Sequence, residues 1–172
     1  LRSFHDQEKL KNLLSSLNKI KKENKTQIPL LLKISPDIDD NQISEIVHTA
    51  IQNDVSGIIL TNTTIGNRSN LISKNKKEEG GLSGEPLQNI STDMIKKFYR
   101  QLNGKIPIIG VGGVNSGKSA YEKIIAGASL LQLYTGFVYR GPSTAKEIKK
   151  ELIQILKSEG IKNIKEAVGK DI

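Results

Sequence analysis

At 172 residues, 36% of them hydrophobic and 26% charged, the chain has the size and balance of one globular domain, and no apolar run approaches the ~20 residues that a membrane-spanning helix needs. The absence of cysteine excludes disulfides, thiolate metal sites and a cysteine nucleophile, and fits a reducing compartment. The net charge of +8 raises nucleic acid or an anionic surface as partners. However, the lysines are scattered, as in Lys19, Lys21, Lys22 and Lys25 or Lys74, Lys76 and Lys77. Aromatics make up only 4% of the chain and none interleaves with these lysines to stack on bases. Solvated helix faces are the preferred reading, with no nucleic acid bound. The two histidines, His5 and His48, are far apart and show no ligand spacing, so no metal site is expected. The sequence starts at Leu1, without a methionine or a basic-then-apolar leader, so no targeting segment is visible and upstream residues are expected to be missing.

In chain order, a helix is predicted over about residues 6–23, where Leu10, Leu13, Leu14, Leu17 and Ile20 recur at helical spacing. The apolar run Leu30 to Ile34, opened by Pro29 and closed by Ser35-Pro36, is too short for a helix and reads as a buried strand. Asp39 and Asp40 suit the start of a second helix, because their carboxylates can accept its unpaired amide hydrogens; Ile43, Ile46, Val47, Ala50 and Ile51 supply its stripe. A strand at 57–60 and a long polar loop from Thr61 to about Pro86 follow. A third helix is predicted over 91–102, stopped by Asn103-Gly104. Then come a strand at 106–111, a helix from about Ser116 to Gly127, a strand at 129–134, a helix over 143–158 and a short amphipathic tail. One helix followed by four βα units means a parallel sheet covered by helices. The candidates are a doubly wound sheet and a (β/α)8 barrel; a whole barrel takes about 250 residues, so four units make half of one.

Ligands in such folds sit where strands hand over to loops at their C-terminal ends. The first strand ends near Lys33, either a snorkelling lysine or a cation placed beneath an anion or an electron-poor ring. The second ends in Thr61-Asn62-Thr63-Thr64, whose hydroxyls and amide suit a planar polar ligand but also an ordinary turn. The long loop closes on Gly80-Gly81-Leu82-Ser83-Gly84-Glu85-Pro86-Leu87, which either brings backbone amides to a ligand or is a flexible hairpin. The third strand leads into Gly112 to Ser119, which formally satisfies the P-loop pattern G-x-x-x-x-G-K-[ST]. Against a nucleoside triphosphatase, no later strand ends in an Asp for Mg²⁺, and two βα units precede the loop. The alternative is that Gly112 and Gly113 offer amides to a phosphate shared with Tyr134-Thr135-Gly136 after the fourth strand. Glycine-bearing turns after two consecutive strands match the phosphate site after strands 7 and 8 of many barrels, which would number these strands 5 to 8.

Lys33-Ile34-Ser35-Pro36-Asp37, Thr61 to Thr64, Gly80 to Gly84 with Pro86-Leu87, Ile108 to Gly113 and Tyr134-Thr135-Gly136 stand in order along the chain. Together they resemble the class 2, quinone-linked dihydroorotate dehydrogenases, FMN-dependent (β/α)8 TIM-barrel flavoproteins. Leu1-Arg2 also resembles the residues just after that family's Ser-Pro-Asn-Thr-Pro-Gly loop. The resemblance implies that residues 1–172 are a single partial domain, the C-terminal half of the barrel, with the N-terminal half absent. It implies FMN contacts from Lys33, Thr61, Gly84, Gly113, Tyr134 and Thr135, with Lys33 beside the N1/C2 edge of the flavin and Gly113, Tyr134 and Thr135 on the phosphate. Asn62 and Thr63 would bond the pyrimidine ring of dihydroorotate or orotate. The implied reaction oxidises dihydroorotate to orotate in pyrimidine biosynthesis, and a quinone reoxidises the flavin. No catalytic residue falls in this chain, since the family's base serine lies upstream of what would be Leu1. Quinone and membrane are met through N-terminal helices, implying a full-length protein peripheral on the bacterial cytoplasmic or mitochondrial inner membrane. The chain alone is expected to be inactive. Competing readings are another FMN- or phosphate-binding barrel enzyme, a P-loop nucleotide-binding protein and a basic binding module.

Overall fold

The computed structural model describes residues 6–66 and 68–172, so Leu1, Arg2 and His5 fall outside the described residues. Helix α1 (Gln7–Glu23) begins where the Asp6 carboxylate accepts the Lys9 amide hydrogen, and it buries Leu10 and Leu14. Four strands follow, β1 (Leu31–Ile34), β2 (Gly57–Leu60), β3 (Ile108–Val111) and β4 (Ala128–Gln132), all parallel and paired in the order β1-β2-β3-β4. Between them run α2 (Asp40–Gln52), α3 (Gln88–Leu102) and α4 (Gly117–Ile125); α5 (Thr135–Arg140) and α6 (Thr144–Ser158) come after β4.

The strand order decides between the two candidate architectures. Right-handed crossovers between strands taken in sequence place every connecting helix on the same side of the sheet. A doubly wound sheet instead reverses its strand order and is covered on both faces. No reversal occurs here, so the four strands are consecutive staves of a (β/α)8 barrel, and the chain is half of one.

Side chains alternate between the two faces of each strand. Ile34, Ile58, Leu60, Ile108 and Ala128 point towards the helices and are fully buried among Ile43, Ile46, Ile95 and Phe98. Each of the isoleucine and leucine side chains contributes roughly 1.5–3 kcal/mol relative to exposure. On the other face Leu31 is 43% and Leu130 63% exposed, with Lys33 and Gln132 beside them. In a closed barrel that face is packed by layers of side chains from the remaining strands.

Local signals explain most boundaries. Asp39 caps α2 in a reciprocal pair with Gln42, Ser116 caps α4 with Ser119, and Asn103 ends α3 in the left-handed conformation. Three expectations are corrected. Helix α3 begins at Gln88 rather than 91, because it runs on directly from a 3-10 turn at Glu85–Leu87, where Pro86 fits an unpaired first turn. The strand expected at 129–134 forms at Ala128–Gln132, displaced with a register shift at Ile108/Ile109. The residues after it, read as loop, form the six-residue α5.

The 61–86 loop is pinned at several points. Thr64 and Leu82 pair as an antiparallel bridge, and the Asp37 carboxylate accepts the Thr64 hydroxyl and the Ile65 amide, the latter at 2.9 Å. The Arg68 guanidinium donates to the carbonyls of Glu78 and Gly80.

Candidate functional site

The C-terminal ends of all four strands open onto one cleft. Lys33, Thr61, Asn62, Thr63, Gly84, Gly113, Tyr134 and Thr135, the eight positions singled out from the sequence, all line it, together with Ser83, Leu87, Val111, Gly112, Val114, Leu133 and Gly136. Its cavity volume is about 150 Å³, smaller than the roughly 300–1,000 Å³ of whole small-molecule sites, as for a cleft walled on one side only.

Each strand end is held by the next. The Asn62 amide donates to the Ile34 carbonyl at 2.7 Å, and the Thr61 amide donates to the Val111 carbonyl at 2.9 Å. These bonds extend the ladder one residue beyond the strands and turn Thr61-Asn62-Thr63 across the rim. The Asn62 side-chain oxygen accepts the Thr63 amide at 2.9 Å, and the residue is exposed. The Thr135 hydroxyl donates to Ser83 Oγ at 2.9 Å, which ties the glycine loop to the end of β4.

The cleft is polar, with a single formal charge. Lys33 is its only ionisable lining group apart from the Tyr134 phenol, and no carboxylate among the described residues pairs with it. A lone cation in a cleft with no carboxylate among its described lining residues favours an anionic or electron-accepting ligand. Thr61 is buried, and its hydroxyl is the one buried side-chain polar atom among the described residues without a hydrogen-bond partner. Such an orphan is costly unless a ligand or water meets it.

At the Gly112-Gly113 end of the cleft the backbone itself lines the wall. Gly113 has a φ of +72°, and a Cβ there would lie 2.5 Å from Gln88 Cβ. Only glycine allows this turn to fold back against α3 while presenting its backbone to the cleft. Gly84, at φ +80°, is less tightly held: a Cβ there would lie 3.0 Å from Thr135 Cγ2.

The P-loop reading does not survive this geometry. The Gly117 amide, at the entrance of α4, donates to Glu151 Oε2 at 2.5 Å, so a carboxylate of α6 occupies the place of a phosphate. Ser119 Oγ accepts the amides of Asn115 and Ser116, both at 3.0 Å, as a helix cap, and Lys118 points to solvent. Among the described residues no cluster of three or more His, Cys, Asp or Glu is placed to hold a metal, and no helix is long and apolar enough to cross a membrane. The short α5 leaves Phe137, Val138 and Tyr139 exposed beside the cleft.

Sequence reasoning missed Ser83 and Asp37 as parts that shape the rim. Ser83 had a signal, standing between Leu82 and Gly84 within the glycine loop; Asp37 closes the Lys33-to-Asp37 motif, but its tie to Thr64 leaves no local signal.

A family model for dihydroorotate dehydrogenase matches residues 1–156. The chain is 46% identical over 154 residues to a dihydroorotate dehydrogenase (quinone) of Christiangramia forsetii, an alignment covering 90% of this chain and 45% of that protein. It is 42% identical over 177 residues to the mitochondrial dihydroorotate dehydrogenase (quinone) of Arabidopsis thaliana, covering 99% of this chain and 38% of that protein. Among solved structures, the ligand-free DHODH of Eimeria tenella superposes with a TM-score of 0.92 at 35% identity, over 99% of this chain and 52% of that one. The chain thus spans about half the length of the curated relatives it matches.

Proposed function

The chain belongs to the dihydroorotate dehydrogenase family, in its quinone-linked class, and from that premise we propose that it forms the C-terminal half of an FMN-dependent enzyme oxidising dihydroorotate to orotate. That step belongs to pyrimidine biosynthesis, and a quinone takes the electrons. One observation supports this most: Lys33, Thr61, Asn62, Gly113, Tyr134 and Thr135, spread over four strand ends, converge on a single cleft.

The residues present fit a flavin mononucleotide. The partnerless Thr61 hydroxyl, the lone Lys33 ammonium and the Gly112-Gly113 backbone are what a ring rich in carbonyl and NH groups, tailed by a phosphate, would satisfy. When bound, FMN supplies the hydride-accepting ring and the link to quinone. Lys33 holds positive charge against the flavin edge where negative charge develops on reduction. The backbone at Gly113 and at Tyr134-Thr135 receives the phosphate. Asn62 and Thr63 bond the pyrimidine ring of the substrate and orient its C6–H towards the flavin.

The C5 proton of dihydroorotate needs a base within hydrogen-bond reach. Among the described residues no Asp, Glu or His lines the cleft. In this reading the base is the serine of the loop that the family places upstream. The bare inner face of the sheet is covered by the remaining barrel strands, and quinone and the membrane surface are reached through an N-terminal region. The whole enzyme then sits peripherally on the bacterial cytoplasmic or mitochondrial inner membrane.

Dihydroorotate-dependent quinone reduction by this chain, alone and assembled with an N-terminal barrel half, tests the reading. Turnover is expected only from the assembly. Substantial turnover by the chain alone contradicts the division of labour, and none from a flavin-loaded assembly contradicts the activity.

A further inference from the structure

Lys123 lies on the buried stripe of α4 between Ala120 and Ile124 and exposes no surface. Its ammonium has three hydrogens, and three acceptors await them, all on the first turn of α3: the Gln88 carbonyl at 3.2 Å, Ser91 Oγ at 3.0 Å and Thr92 Oγ1 at 3.1 Å. Ser91 passes the connection on, because its own hydroxyl donates to the Val111 carbonyl at 2.6 Å. That carbonyl also receives the Thr61 amide at 2.9 Å. The same helical turn is the back wall of the glycine turn at the cleft: a Cβ on Gly112 would lie 3.0 Å from Ser91 Cβ, and one on Gly113 2.7 Å from Gln88 Cα.

An ammonium in this place is unfavourable in itself. Burial lowers its pKa to about 8, while Glu122 and Asp93 act in the opposite sense and keep it from falling further. A leucine or methionine would fill the volume without that penalty, so what the charge adds is its three directed bonds. Those bonds run only to the turn that backs Gly112 and Gly113.

We propose that Lys123 is a positioning residue for the phosphate end of the cleft: it locks the first turn of α3, and that turn holds the Gly112-Gly113 backbone in the shape that receives the phosphate of FMN. The proposal rests on the flavin reading above. It makes a demand that packing alone does not, since loss of Lys123 must harm recognition of the phosphate more than recognition of the ring.

FMN and riboflavin share ring and ribityl chain and differ by the phosphate, so titrating the assembled barrel with each separates the two. Lys123→Met is expected to weaken FMN by about tenfold or more and riboflavin by about twofold or less, the scale of losing charge-assisted bonds at one end of a ligand. Ser91→Ala breaks the relay to Val111 with little loss of volume and is expected to lower the same selectivity. The double variant should be no worse than the stronger single one, as for two parts of one path. Equal weakening of both flavins, or unchanged FMN affinity in Ser91→Ala, overturns the proposal; Ser91→Ala decides it alone if Lys123→Met does not fold. An unchanged protein that binds neither flavin removes the flavin reading, and this inference with it.

Discussion

The two faces of the four-stranded sheet are built from alternate residues of the same strands and have opposite characters. On the helix side, Ile34, Ile58, Leu60, Ile108 and Ala128 are sealed under α2, α3 and α4. On the other side, Leu31 and Leu130 lie open beside Lys33 and Gln132. The first face is a finished core and carries the stability of this chain. The second is the face that a closed barrel covers with its other strands, and the cleft lies at its rim. Stability and function are therefore separable here: substitutions on the helix side should unfold the chain, and those on the open side should affect only what it joins or binds.

The largest effect is expected on the sealed side. Phe98, fully buried at the centre of that core, should cost about 3–5 kcal/mol on truncation to alanine, read by denaturant unfolding. A loss below about 1 kcal/mol would mean that the helix-covered face is not the core. At the junction of the two regions, Gly113→Ala combines a left-handed backbone with overlap against Gln88. It should cost about 3 kcal/mol and abolish FMN binding by the assembled barrel.

Next comes a pH effect from Lys123. Its pKa of about 8 lies below the ordinary 10.5, so the folded chain releases this proton before the unfolded chain does. Between those two values unfolding takes up a proton, and the group's contribution to stability rises with pH. Measured against Lys123→Met, the unchanged protein should gain on the order of 2 kcal/mol between pH 8 and 10. A flat difference across that range would show that burial does not disfavour the charge on this lysine. The smallest effect belongs to the open side: Leu130→Ala should shift the stability of the isolated chain by less than about 0.5 kcal/mol, yet weaken its assembly with an N-terminal half. A large loss in the isolated chain would mean that Leu130 is covered by the chain itself.

The same contrast governs what the sequence made legible. Short apolar runs and helical stripes such as Ile43, Ile46, Val47 and Ala50 announce the sealed face, because burial there imposes a period. Leu13 and Ile20 fit that period in α1 and are exposed nonetheless, since only Leu10 and Leu14 reach the core from this edge of the half-barrel. Helix α5 was hidden because six residues between Tyr134 and Gly141 are too few to show any period. At the cleft, residue chemistry alone left Lys33 and Thr61 to Thr64 ambiguous, and it was their resemblance to one family's ordered motifs that singled out the eight positions. Lys123 was invisible, because a lysine on a helix reads as solvated and its partners stand 31 to 35 residues away. The tie between Asp37 and Thr64, 27 residues apart, was hidden for the same reason.

The most direct test is a fluorescence titration of FMN into this chain before and after addition of a purified N-terminal barrel half. Weak or absent binding alone, converted to tight binding of one FMN per assembled pair, is the predicted result. Tight binding by the chain alone, or none by a well-formed pair, would contradict a flavin cleft whose second wall is supplied by the other half of the barrel.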